Sequence, residues 1–438
     1  MKKNICKANA LILAGGFGRR LKNKTKNIPK CMVEIKNNKP IILHQILQLK
    51  KNGFKKICIL LHHQNEKVTS FLKNGSQFGV KITYCIEENP RGTGGAVYDA
   101  RKNLKNNFLV VLGDTYFDIN LKKFYYFHKK SKSKILIFSH PNNHPHDSDL
   151  LITDKNNNVV DIKRYKKNDN KIPNLVCAGL FCMNKTVFNI NSFKKGKIDL
   201  TKNVIKTAIK NRHLIKSYKS VEYIKDMGTP DRLKSVKEDI LSKKIFFLSE
   251  KTKRRAVFFD RDGTIIKERG YINNVNKVEF FNGVERSLKI LNNEGFLSIM
   301  VTNQPIIARG EMSEDKLFEI HNFIEKKFGH KGAYIDEIYF CPHHPHSGFK
   351  GEIKRLKIKC ECRKPKNGLI LNAIKKFNID VKKSWLIGDA TSDILAAKKS
   401  NLKSILVKTG YAGKDKKYKV KPNFITSNFN SAVRLILG

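Results

Sequence analysis

The sequence predicts an α/β protein of two domains in tandem. Three observations carry this reading. The chain has 438 residues, about two to three times the length of a typical domain. Two series of short apolar runs alternate with helical patterns, and a charged, unpatterned stretch, "SEKTKRR", separates them. Alternation of this kind argues for α/β sheets whose functional loops follow the strand C-terminal ends. The expected division is residues 1–243, a linker at 244–254, and residues 255–438.

In the first series "NALILAGG", "KICILLHH", "VKITYCIEE" and "FLVVLGD" read as strands that end in glycine or polar residues. "IILHQILQLKKNG" and "GGAVYDARKNL" read as helices between them, and "GTPDRLKSVKEDILSKK" as a closing helix begun at a proline. In the second series "RAVFFDRDG", "FLSIMVTNQ", "EIYFCPHH" and "SWLIGDATSD" read as strands, with helices at "GVERSLKILNNEG" and "GLILNAIKKFN". The two halves show no internal repeat.

Hydrophobic residues make up 40% of the chain, enough to build buried cores. No apolar run approaches the ~18–20 residues that span a bilayer. The opening "MKKNICKANALILAGGFG" is too short and too glycine-broken in its apolar part for a secretory leader. A cytoplasmic enzyme is expected. The formal charge of +49 comes from 87 Lys+Arg against 38 Asp+Glu. The lysines lie in short pairs along the whole chain, which reads as a solvated surface without membrane or specific nucleic-acid partners. A basic nucleic-acid-binding protein is the rival class, but no aromatic-basic platform supports it. Among nine cysteines, Cys6, Cys31, Cys58, Cys85, Cys177 and Cys182 sit in or beside apolar segments, so a secreted disulfide framework is not expected.

"LILAGGFGRRL" places Gly15, Gly16 and Gly18 just after a strand, where backbone N–H groups can approach phosphate oxygens. It is neither a P-loop nor a dinucleotide fingerprint. Arg20 and Lys30 ("NIPKCM") add cations, and Asp114 ("LGD") ends a buried strand where a hard cation could sit. The set resembles the nucleotidyltransferases that make nucleotide-diphospho-sugars, whose pattern L-x-A-G-G-x-G-(S/T)-R-L is followed by P-K. Ala14, Gly15, Gly16, Gly18, Arg20, Leu21, Pro29 and Lys30 match, and Arg19 replaces the small hydroxyl residue. The resemblance implies a Rossmann-like transferase fold in which Gly92, Thr93, Gly94 and Gly95 ("NPRGTGGAV") face the base and Gly179 ("VCAGLF") faces the sugar. It also implies that Asp114 and Asp226 hold Mg²⁺ and that Arg20 and Lys30 bind the triphosphate. In-line attack on the α-phosphorus spreads negative charge, so cations must already be in place. A Glu-Lys pair usual in relatives is replaced by "VVDIKRYKK", and Thr201 stands where an acidic residue is usual. A transferase half retained only as a scaffold is the alternative.

"VFFDRDGTI" sets Asp260 and Asp262 two residues apart at a strand end, so both side chains can point the same way. Thr302 and Asn303 ("MVTNQ"), Lys364, and Asp389 with Asp393 ("IGDATSD") follow in order. This resembles the haloacid-dehalogenase-like phosphohydrolases. The resemblance implies that Asp260 is the nucleophile, Asp262 the acid–base, Thr302 and Lys364 holders of the phosphoryl oxygens, and Asp260, Asp262 and Asp389 the Mg²⁺ ligands.

Cys341 and His343 form C-x-H, and sixteen residues later Cys360 and Cys362 form C-x-C. Three thiolates and an imidazole satisfy a closed tetrahedral zinc site, with a disulfide or chance placement as the alternative. His344 and His346 read as exposed loop residues. "TNQ…ARG", "CPHHP" and "CECRKP" look like the heptose 1,7-bisphosphate 7-phosphatases of that superfamily, which also contains histidinol-phosphate phosphatases. Pro305 and Ile306 depart from the pattern, and Arg363 with Lys364 forms its cationic pair. Dephosphorylation at C7 would leave heptose 1-phosphate for the other half. The resemblance thus implies a bifunctional enzyme making GDP-D-glycero-α-D-manno-heptose from GTP for surface polysaccharide. A histidinol-phosphate phosphatase fused to another transferase is the competing reading.

Overall fold

In the computed structural model, which describes residues 7–18, 20–21, 25–164, 172–190 and 193–438, the apolar run Ala8–Leu13 becomes a central strand. Ala10, Leu11 and Ile12 are wholly buried there. Lys56–Leu61 and Leu104–Leu112 flank it, both parallel, with Leu13 opposite Leu60 on one side and Leu112 on the other. The loops after these three strands therefore open at one edge of the sheet. Among the described residues the sheet has nine strands. Lys81–Ile86 extends it in parallel on one side, and Leu175–Asn184 joins Leu104–Leu112 in antiparallel on the other.

Two features fix the strand end that carries Asp114. The helix Ile41–Lys51 buries Ile42, Gln45, Ile46 and Leu49 on one face. Its buried Gln45 donates through Nε2 to Leu112 O at 2.9 Å and Thr115 O at 2.7 Å, clamping the Gly113–Asp114 turn. Beyond that turn Thr115–Asp118 pairs antiparallel with Tyr223–Asp226, which sets Asp226 opposite Thr115.

The second unit takes in everything from Lys243 onward and also residues 141–148. Residues 244–254, expected as a linker, hold the helix Lys244–Leu248 and a buried Arg254. Arg254 donates through Nε to Leu248 O at 3.0 Å and through Nη1 to Phe377 O at 2.9 Å. The charge that read as solvated is satisfied by two carbonyls inside the second unit.

That second unit has a six-stranded sheet in which every pairing is parallel. Its order is Glu337–Cys341, Leu297–Asn303, Ala256–Phe259, Trp385–Gly388, Lys403–Val407, Phe424–Thr426. Counted along the chain this is 3-2-1-4-5-6, the doubly wound order whose ligands bind where the winding reverses. The reversal lies between Ala256–Phe259 and Trp385–Gly388, whose ends lead directly into Asp260 and Asp389. Val257, Phe259, Met300, Ile387 and Ile405 form the core under that point. The helices Val284–Asn293 and Gly368–Phe377 lie where the sequence predicts them. No helix among the described residues is long and apolar enough to cross a membrane.

Candidate active sites

In the first unit, the edge where the parallel strands end holds a cavity of about 330 Å³. Ala14, Gly15, Gly16, Lys30, Glu87, Gly92, Thr93 and Asp114 are on its wall. Lys30 Nζ is paired with Asp114 Oδ2. Asp226 accepts from Arg232 Nη1 at 2.8 and 2.9 Å. A β-carbon built on Gly228 would lie 2.9 Å from Arg20 Nη2, 3.0 Å from Asp226 Oδ1 and 3.4 Å from Lys30 Nζ, so these three groups converge on one point. Two carboxylates and three cations in one place suit a polyphosphate and the metal ion it carries.

In the second unit, Lys364 Nζ lies 2.9 Å from Asp260 Oδ1 and 2.6 Å from Asp393 Oδ1, and donates to Val301 O at 2.7 Å. Asn303 secures the lysine's backbone by accepting from Lys364 N at 3.0 Å and donating to Lys364 O at 3.1 Å. Asp260, Asp389 and Asp393 could together hold a metal ion. Asp389 Oδ2 accepts from Tyr411 N at 2.7 Å. Gly263 and Gly410, both at positive φ, leave that oxygen room, since a β-carbon on either would come within 2.3 and 2.1 Å of it. Burial pushes the Asp260 carboxyl up to about 6, with Lys364 pulling down and Asp393 and Asp262 pushing up. Burial, then Asp393 and Asp260, push Asp389 to about 8. Three crowded carboxylates share one lysine, a surplus of negative charge that a divalent cation would relieve.

Next to that centre, Cys341, His343, Cys360 and Cys362 bring four ligand atoms together. Cys362 Sγ lies 3.2 Å from Cys341 Sγ, 3.2 Å from Cys360 Sγ and 3.1 Å from His343 Nδ1, and Cys341 Sγ lies 3.5 Å from Cys360 Sγ. A disulfide would need about 2.05 Å. The spacing instead approaches the edges of a tetrahedron around a single ion. Gln304 N donates to Cys341 O at 2.7 Å, tying this loop to the strand end that carries Thr302.

Residues 9–243 match the nucleotidyl transferase family model, and residues 361–432 the HAD-hydrolase-like model. A heptose bisphosphate 7-phosphatase of Pasteurella multocida, named for D-glycero-beta-D-manno-heptose-1,7-bisphosphate, is 40% identical over 158 residues, 36% of this chain and 83% of that protein. The chain belongs to the nucleotidyl transferase family, and its second half to the heptose bisphosphate phosphatase family. The phosphatase of Haemophilus ducreyi bearing the same name is also 40% identical, over 161 residues, 36% of this chain and 86% of that protein. Among solved structures, HddC from Yersinia pseudotuberculosis is 25% identical, covering 53% of this chain and 99% of that one at a TM-score of 0.46.

Within the transferase half, Gly92 and Thr93 face the cavity, but the neighbouring glycines do not. Gly94 N and Gly95 N both donate to Ile198 O, at 2.8 and 3.1 Å. Gly179 sits at positive φ against Leu112 and Thr115, beside the strand end that carries Asp114. Arg19 and residues 165–171 lie outside the described residues. Glu87 is the residue sequence reasoning missed. It follows the strand Lys81–Ile86, its Oε2 stands 3.6 Å from where a Gly15 β-carbon would be, and burial pushes its carboxyl up. The signal available was an acid three residues before Pro90.

Within the phosphatase half, both oxygens of Asp262 accept from Arg261 and Gln304, and Asp260, Asp389 and Asp393 form the carboxylate group that could hold a metal ion. Arg363 reaches back over the thiol loop, its Nη1 3.4 Å from His343 O. His344, expected to be exposed, is buried with its ring 5.2 Å from that of Phe349, while His346 is exposed.

Proposed function

We propose that the chain performs two consecutive steps toward a nucleotide-activated heptose. The phosphatase half removes the 7-phosphate of a D-glycero-D-manno-heptose 1,7-bisphosphate, and the transferase half couples the resulting 1-phosphate to GMP from GTP. The observation that carries this reading is the union, in one chain, of a half 40% identical to heptose bisphosphate phosphatases with a nucleotidyl transferase half. The product of the first reaction is the class of substrate the second consumes.

In the first reaction an Asp260 oxygen bonds to the 7-phosphorus as the P–O bond to C7 breaks, and Asp262 protonates the departing oxygen. Water then attacks the aspartyl-phosphate, giving its proton to Asp262 and releasing phosphate. Lys364 and Thr302 hold the phosphoryl oxygens, and Asn303 keeps Lys364 in place. Asp260, Asp389 and Asp393 would hold Mg²⁺, which when bound neutralises charge on the transferring group. The Cys341, His343, Cys360 and Cys362 set would hold Zn²⁺ as a structural clip.

In the second reaction an oxygen of the heptose 1-phosphate attacks the α-phosphorus of GTP, and the bond to the β-phosphate breaks to release pyrophosphate. Arg20 and Lys30 pair with the triphosphate, and Asp114 and Asp226 would hold Mg²⁺. The Glu87 carboxylate supports guanine, because it can accept from the N1–H and 2-amino donors of that base. No bond to C1 is broken in either step, so whichever anomer the phosphatase accepts passes unchanged into the product, and the phosphatase relatives are named for the β-anomer. Such an enzyme would work in the cytoplasm.

Incubation with the bisphosphate, GTP and Mg²⁺ should give GDP-heptose by mass and pyrophosphate. Asp260→Asn should stop the reaction at the bisphosphate yet still convert supplied heptose 1-phosphate. Silence of the transferase half with every nucleoside triphosphate, or faster turnover of histidinol phosphate, would overturn the proposal.

A further inference from the structure

Arg261 lies between two acidic residues of a motif at a strand end, where a charged side chain is expected to reach solvent. It is instead 1% exposed. A buried guanidinium costs several kcal/mol unless its donors are engaged, and here the partners converge on one residue. Arg261 Nε donates to Asp262 Oδ1 at 3.0 Å and Nη2 to Asp262 Oδ2 at 2.9 Å, a fork on the carboxylate. Nη2 also donates to Gln304 Oε1 at 2.9 Å. Gln304, itself 3% exposed, turns its amide back to donate to Asp262 Oδ2 at 3.0 Å and to Thr302 Oγ1 at 2.9 Å. Arg261 Nη1 faces His321 Nε2 at 3.5 Å, and burial together with Arg261 holds that histidine neutral, leaving a lone pair toward the guanidinium.

We propose that Arg261 and Gln304 are the positioning residues of Asp262 in the phosphatase reaction, and that they leave Asp262 Oδ1 as the oxygen that carries the transferred proton. This rests on the reading of Asp262 as acid–base. An acid–base residue must present the same oxygen twice, first to the departing C7 oxygen and then to the attacking water. Asp262 Oδ2 holds two hydrogen bonds and Oδ1 one, so the proton has room on Oδ1. A carboxylate free to rotate would lose that constancy, and the cost falls only on leaving groups that need a proton.

The test is leaving-group dependence. Gln304→Leu and Arg261→Met are compared in the full chain on heptose 1,7-bisphosphate, whose alkoxide must be protonated, and on p-nitrophenyl phosphate, whose phenolate leaves without a proton. The expected result is a loss of kcat tenfold or more larger on the bisphosphate than on the aryl ester, in at least Gln304→Leu, with transferase activity retained. Equal losses on both substrates, or none, would overturn the assignment and leave these residues structural. Asp262→Asn is run beside them. If that variant lacks the leaving-group signature, the acid–base reading itself fails; if it alone shows it, only the positioning role fails.

Discussion

Lys364 Nζ stands 2.6 Å from Asp393 Oδ1, with the side chains 3% and 1% exposed, and the same nitrogen reaches Asp260. One cation therefore balances two carboxylates at the point where the second sheet reverses its winding, and a third, Asp389, adjoins them. Asp260 and Asp393 hold the Lys364 ammonium above the ordinary lysine range against the pull of burial. Replacing it by the uncharged Lys364→Met leaves buried carboxylates without their counter-charge, a change that costs roughly 3–5 kcal/mol. The single tryptophan of the sequence, Trp385, begins the adjoining strand and reports this unit alone. Urea unfolding followed by Trp385 fluorescence should shift to lower denaturant by that amount, with part of the loss recovered on adding Mg²⁺. An unchanged midpoint would show that the carboxylates do not depend on Lys364.

Glu87 and the Gly15–Gly16 turn share one wall of the transferase cavity. If the carboxylate accepts two hydrogens from guanine, Glu87→Gln exchanges one acceptor for a donor that faces another donor. Hydrogen bonds to charged groups are worth about 1.5–3 kcal/mol, so kcat/KM for GTP should fall roughly 10- to 150-fold. Activity with ATP should change little. Competition between the two nucleotides in a pyrophosphate-release assay reads the ratio directly, and equal loss with both would remove Glu87 from base recognition.

The motif-bearing strand ends were legible because apolar runs followed by D-x-D-G, T-N-Q and G-D-x-x-x-D place chemistry in sequence order. The gathering of Cys341, His343, Cys360 and Cys362 was legible from spacing alone. Residues whose role depends on partners far along the chain were not. Nothing in the sequence marks Arg261 as buried, which it becomes when Gln304 and His321 are brought against it. Arg254 reads as linker until Phe377 O receives it. The helix Glu314–His330 carries a long apolar face, but buried His321 and Lys326 interrupt the pattern that would have announced it. Gly94 and Gly95 matched a motif, yet Ile198, about a hundred residues later, takes their N–H groups.

His128 gives the transferase half a pH-dependent stability. Its side chain is 1% exposed, with Nδ1 3.3 Å from Ser133 Oγ and Nε2 3.4 Å from Asn107 Oδ1, and burial lowers its pKa from 6.5 to about 4. Between those values the unfolded chain takes up a proton that the folded chain refuses. Stability is therefore complete above about pH 6.5 and is lost as pH falls toward 4. Comparing urea transitions at pH 7 and pH 5 by far-UV circular dichroism, in the phase that Trp385 does not report, should show a loss of about 1–2 kcal/mol. His128→Gln should reduce that loss, whatever its effect on stability at pH 7. An equal pH dependence in the variant would assign the slope to other groups.

Cys360 and Cys362 are followed at once by Arg363 and Lys364, so the thiol cluster that could hold a metal ion also sets where Lys364 begins. Gly368 N donates to Glu361 O at 3.0 Å, and Lys366 N to Arg363 O at 2.8 Å, closing this segment on itself with little slack. A ligand set of three thiols and one imidazole loses much of its affinity when one thiol becomes a hydroxyl, because the softer ligands favour zinc. Cys360→Ser should therefore lose the bound metal and the phosphatase activity together, by metal analysis and phosphate release on the same sample. The transferase reaction should persist, since the site proposed for it uses Arg20, Lys30, Asp114 and Asp226 instead. A variant that loses its metal but keeps full phosphatase turnover would separate the clip from the position of Lys364, which Asn303, Val301 O, Asp260 and Asp393 would then suffice to hold.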